Sequence, residues 1–162
     1  MNCLPHDPYI DAVIRAIREA GYNTGPDCST EYDTDDGAVM WMEAFVDLGD
    51  DGQDGPGRVA LGWRQTTGWL GVYYDGRGRY DEESSGFFAD DCVLPAPAAV
   101  AAVVGQWFNG GTVWPVPGAD DTTPSDGPLP ALLAEALEAG DVTADLAVRL
   151  AAYWPTAPTA SE

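Results

Sequence analysis

Between residues 7 and 21 the apolar positions recur every three to four residues. Ile10, Val13, Ile14 and Ile17 share one helical face, while Asp11, Arg15, Arg18 and Glu19 take the other. Asp7 is placed to cap this helix, and Pro8 suits a first turn, where a missing N–H costs nothing. Gly21 ends it. Residues 22–37 hold Asp27, Glu31, Asp33, Asp35 and Asp36 and read as an acidic loop.

From Ala38 the pattern changes to strand-like. Over Ala38–Leu48, Met40, Met42 and Val46 fall on one face and Val39, Trp41 and Phe45 on the other, which predicts a central strand covered on both sides. The stretch Gly49–Gly57 has the composition of a hairpin connection and carries Asp50, Asp51 and Asp54. Val59, Leu61 and Trp63 alternate through a strand over Arg58–Arg64, and another strand runs over Trp69–Asp75. The Gln65–Gly68 link makes these two an antiparallel hairpin. A further short strand is expected near Phe87 and Phe88, or at Cys92–Leu94.

Pro95 and Pro97 open a second helix with Val100, Val103, Val104 and Trp107 as its stripe, closed by Asn109-Gly110-Gly111. Residues 112–128 are rich in Pro, Gly and Asp and read as a linker. Two helices follow, near Leu129–Ala139 and Ala144–Trp154, and their short connector folds them into an antiparallel pair with Thr143 as a cap. The expected class is α+β: a small antiparallel sheet of three to five strands with helices packed on it, plus a C-terminal helical hairpin. The expected division is a core over 1–111, a linker over 112–128, a helical hairpin over 129–155, as third layer or detachable arm, and a disordered tail over 156–162.

Charge narrows the function classes. Among 162 residues, 27 are acidic and 7 basic, all of the latter arginine, for a formal net charge of −20. Such a surface repels phosphate and anionic lipid, which disfavours direct nucleic-acid and membrane-surface binding and favours a basic protein partner. The same charge also serves solubility or life in high salt. No run approaches the ~18 apolar residues of a membrane span, and Met1–Tyr9 lack the pattern of a secretion signal. A cytoplasmic protein is expected, with Cys3, Cys28 and Cys92 reduced.

Motifs for chemistry are weak. Three dispersed cysteines and the single His6 do not make a zinc set. Counted as an EF-hand from Asp47 or from Asp50, position 3 is glycine and position 12 is Arg58 or Leu61, so neither register works. No metal or cofactor is expected. Gly76-Arg77-Gly78-Arg79 is followed by Tyr80-Asp81-Glu82-Glu83, whose carboxylates oppose a phosphate, so a turn with acid–arginine pairs is expected there. His6, near the chain start, reads as a surface residue rather than a catalytic base. Glu82/Glu83 and Asp90/Asp91 are carboxylate pairs of the kind that act on sugars. Trp63, Trp69, Tyr73 and Tyr74 cluster on one hairpin, as cross-strand core pairs or as an exposed recognition platform.

The opening helix with Tyr9, Val13 and Ala20-Gly21, the hairpin Gly62-Trp63…Gly68-Trp69, and Val93-Leu94-Pro95-Ala96-Pro97 before a helix resemble a family of small acidic proteins of high-GC actinobacteria over residues 8–108. The resemblance implies a cytoplasmic bacterial protein and brings no catalytic residues. The expected function is a non-enzymatic interaction module, regulatory or inhibitory, binding through Trp63, Trp69, Tyr73, Tyr74, Asp50, Asp51, Asp54, Glu82 and Glu83. The alternatives are a nucleic-acid mimic that inhibits a DNA-binding protein, and a carboxylate-based hydrolase.

Overall fold

A computed structural model describes residues 3–25, 27–34, 40–50, 58–74, 80–87, 92–108 and 122–155. Its elements run α1 (Asp7–Glu19), β1 (Ser29–Thr34), β2 (Met40–Asp50), β3 (Arg58–Arg64), β4 (Gly68–Tyr74), β5 (Tyr80–Phe87), α2 (Pro97–Phe108), α3 (Ala131–Ala139) and α4 (Ala144–Ala151). The strands form one antiparallel meander in the order β1-β2-β3-β4-β5. The α+β class expected from the sequence is the one observed.

Alternation explains which face the helices cover. Ala44 pairs with Trp63, Val46 with Leu61, Trp63 with Trp69, and all five are buried. One core joins this face to Tyr9, Ile10, Val13 and Ile17 of α1, to Val100, Val103 and Val104 of α2, and to the last two helices. Leu133, Ala136, Leu146, Ala147 and Leu150 belong to that same core, so the helical hairpin is packed on the sheet layer. Polar contacts fix it there. Gln65 Nε2 donates to the Asp141 carbonyl at 3.0 Å, Tyr32 donates to Asp141 Oδ2 at 2.5 Å, and Trp154 Nε1 donates to the Pro5 carbonyl at 3.1 Å. Residues 122–128 of the Pro/Gly/Asp-rich stretch are also engaged: Thr122 is buried, and Ser125 N–H donates to the Val148 carbonyl at 2.9 Å. Residues 112–121 and the tail 156–162 lie outside the described residues.

Several elements differ from expectation. The stretch read as an acidic loop contains β1, because Ser29–Thr34 pairs residue by residue with Phe45–Met40. Its polar composition suits a sheet edge, where charged side chains discourage further pairing. The last strand is longer than expected and starts at Tyr80, so Tyr80-Asp81-Glu82-Glu83 is strand rather than turn; residues 75–79 lie outside the described residues. His6 rather than Asp7 occupies the N-cap of α1. Asp7 sits one residue further on, where its carboxylate accepts from Leu4 N–H at 2.7 Å and from the Thr30 hydroxyl at 2.6 Å, tying the chain start to β1. Thr143 caps α4 as expected, accepting from Leu146 N–H at 3.2 Å.

Candidate functional site

The aromatic hairpin does not form an exposed platform at its tryptophans. Trp63 and Trp69 are 2% and 1% exposed, on the helix-covered face of the sheet. Both indole N–H groups are used inside: Trp63 Nε1 donates to the Val93 carbonyl and Trp69 Nε1 to the Tyr9 hydroxyl, each at 2.8 Å. Tyr9 in turn donates to the Pro95 carbonyl at 2.8 Å, and Thr122 N–H and Oγ1 donate to the Leu94 carbonyl at 3.2 and 2.9 Å. Three successive carbonyls, 93 to 95, are thus held by buried donors. This is what the Val93–Pro97 motif does: it straps the sheet to α2. Trp63 and Trp69, expected among the partner-binding residues, thus stand in the core, where a partner reaches neither ring without unpacking it.

His6 is also corrected, from surface to core. It is 0% exposed and stacks on Trp63 with centroids 5.6 Å apart. Its Nε2 lies 2.9 Å from the Glu43 carbonyl, so the neutral tautomer carrying its proton on Nε2 donates there. Nδ1 is buried with no hydrogen-bonding partner among the described residues. Burial pushes the imidazole pKa below its ordinary value of 6.5, outweighing the Glu43 hydrogen bond and the Asp7 charge. Tyr73 and Tyr74 lie on β4, Asp50 ends β2, and Glu82 and Glu83 lie on β5. Asp51, Asp54, Asp90 and Asp91 lie outside the described residues.

The open feature is the other face of the sheet. There a concavity of about 630 Å³ is floored and walled by Phe45, Gly62, Leu70 and Val72 and edged by Glu31, Glu43 and Arg64. The register places these residues in rows. Glu31 stands opposite Glu43, and Glu43 opposite Arg64, which makes one charged row across β1, β2 and β3. In the next row Phe45 stands opposite Gly62, and Gly62 opposite Leu70. At the far end Ala60 and Val72 are buried. The expectation that β2 is covered on both faces therefore fails at Phe45, which is only half-buried.

Arg64 and Glu43 form an ion pair, and their side chains are 41% and 33% exposed. At that exposure the pair adds little stability, roughly 0–1 kcal/mol, but it fixes where charge sits on the rim. Glu31 is exposed, and no cation among the described residues pairs with it. Among the described residues the rim therefore carries two carboxylates, Glu31 and Glu43, to the one guanidinium of Arg64, beside an apolar hollow. No family model, curated protein or solved structure matches this chain. Among the described residues no group of three or more His, Cys, Asp or Glu side chains could hold a metal ion, and no helix is long and apolar enough to cross a membrane. No disulfide joins Cys3, Cys28 and Cys92.

Sequence reasoning missed Glu31, Glu43, Phe45, Gly62, Arg64 and Leu70 as a group. Two signals were present. Glu43 interrupts the apolar run of β2 on the face shared with Phe45, and Gly62 leaves a mid-strand position without a side chain between Leu61 and Trp63.

Proposed function

We propose that this protein is a non-catalytic binding module that docks a cationic protein segment on the open face of its sheet, acting in the cytoplasm. One observation carries the reading: an apolar hollow edged by excess negative charge, on a sheet whose opposite face holds the whole helical core. A basic segment with an adjacent apolar residue matches both parts of this surface. The net charge of −20 speeds encounter with such a segment and deters nucleic acid and anionic membranes.

The test is a calorimetric titration of the whole chain with an extended peptide alternating arginine and valine, at 50 and 200 mM salt. Binding that weakens with salt is expected; absence of binding at low salt overturns the reading. The mimic alternative requires a DNA-binding protein as partner, and duplex DNA competing for that protein against this chain is the outcome that would favour it. A second reading, hydrolysis by paired carboxylates, draws on Glu31 facing Glu43 beside Phe45. Glu43 is already neutralised by Arg64, which leaves one uncommitted carboxylate where glycoside hydrolysis needs two. Release of nitrophenol from aryl glycosides would restore that reading.

A further inference from the structure

We infer that the gap above Gly62 is a subsite for one arginine side chain of the docked segment, a reading that rests on the proposed docking face. Gly62 lies mid-strand in the central strand of the sheet, where glycine is unfavourable relative to a residue with a side chain. Two other glycines have a local cause. Gly68 has φ +75°, and a Cβ there would lie 2.9 Å from the Cys92 carbonyl oxygen. A Cβ at Gly25 would collide with the Asp47 carboxylate. Gly62 has neither reason: its φ is not left-handed, and an added Cβ meets nothing within 4 Å. What its missing side chain does is leave a gap between Phe45 and Leu70.

The size of that gap suits a flat group. Neighbouring strands lie ~4.8 Å apart, so Phe45 on β2 and Leu70 on β4 stand about 10 Å apart with β3 between them. A planar group packed at about 3.5–4 Å from each wall needs about 7–8 Å. The charged row Glu31–Glu43–Arg64 is one step along the strands and supplies the excess carboxylate. An arginine satisfies all three conditions. Its methylene stem lies along Leu70, its planar guanidinium stacks on Phe45, and its charge meets Glu31, while Arg64, next to Gly62 on the same face of β3, is held by Glu43. Lysine offers the charge without the plane. Charge disfavours a second copy of this chain as occupant, since each copy brings a net −20 and its own Glu31.

The test compares two acetylated, amidated peptides, Val-Thr-Arg-Val-Thr and the same sequence with lysine at the centre, titrated into the whole chain and into Gly62→Leu and Glu31→Gln. The native chain is expected to bind the arginine peptide about three- to tenfold more tightly than the lysine peptide. Gly62→Leu fills the gap and is expected to abolish that preference while keeping weak binding of both; Glu31→Gln weakens both. Should Gly62→Leu not fold by circular dichroism, Phe45→Ser instead removes one wall of the gap and is expected to abolish the preference likewise. Equal affinity for the two peptides in the native chain, or a preference that survives both substitutions, overturns the arginine subsite and leaves the docking face standing. Failure of both peptides to bind overturns the docking face as well. A stable homodimer in sedimentation that Gly62→Leu disrupts would also overturn the assignment.

Discussion

Removing a single oxygen from Tyr9 tests whether the strap is held as described. The Tyr9 side chain is fully buried, and its hydroxyl accepts from Trp69 Nε1 and donates to the Pro95 carbonyl, both at 2.8 Å. Tyr9→Phe keeps the ring and its packing against Trp63, Trp69 and Tyr153. It strands the indole N–H of the buried Trp69 and the carbonyl of the buried Pro95. Each buried group left without a partner costs about 1–3 kcal/mol; at about 1–2 kcal/mol for each of the two, a loss of about 2–4 kcal/mol follows. For a domain of this size that lowers Tm by roughly 5–15 °C. In urea, with m about 1–3 kcal/mol/M, it moves the midpoint by on the order of 1–2 M at unchanged m. Equilibrium urea unfolding followed by tryptophan fluorescence and circular dichroism reads this directly. Trp69→Phe, which removes the donor and leaves Tyr9 bonded to Pro95, costs less on the hydrogen-bond account. A Tyr9→Phe variant within about 0.5 kcal/mol of the native chain would refute the argument, since surface-like substitutions fall in that range.

Three further outcomes follow from the geometry. His6 is neutral in the folded chain with a lowered pKa, so below pH 6.5 the unfolded state takes up a proton that the folded state refuses. Stability then falls with pH by up to about 1.4 kcal/mol per unit until the folded pKa is reached. Urea midpoints of the native chain and His6→Phe at pH 7.5 and 5.5 should converge toward the acid side; a pH-independent difference contradicts the buried neutral imidazole. A chain ending at residue 128 loses Leu133, Leu146 and Leu150 from the core. At about 1.5–3 kcal/mol for each buried leucine, this approaches the whole stability of a domain, and the shortened chain should lose cooperative melting. A sharp transition near the native Tm would show that the helical hairpin is dispensable. Gly62→Ala should raise stability by about 0.4–1 kcal/mol, because nothing crowds the new methyl and the unfolded chain loses freedom; a loss would show that the position needs glycine for folding.

Local patterns in the chain mapped well onto elements. The four helices were legible because each has an apolar stripe and a recognisable start or stop, as Pro8, Pro97 and Thr143 show. The β3–β4 hairpin was legible from alternation around a short polar turn. Strand β1 was not, because Ser29–Thr34 contains one aromatic and no aliphatic residue, and its place comes from pairing with β2 rather than from its own propensity. The binding face was illegible for a related reason. Charge drew attention to acid-rich loops, whereas the hollow arises where Glu31, Glu43, Arg64, Phe45 and Leu70 meet by register across four strands. His6 misled because a lone histidine near a chain end looks exposed, and nothing local shows that Trp63 covers it.

The most direct measurement is amide chemical-shift mapping of the whole isotope-labelled chain during titration with the arginine–valine peptide. Shifts concentrated at Glu43, Phe45, Gly62, Arg64 and Leu70, and suppressed by raising salt, are the predicted result. Shifts confined to α1, α3 or α4, with the β2–β4 amides unmoved at saturation, would contradict it.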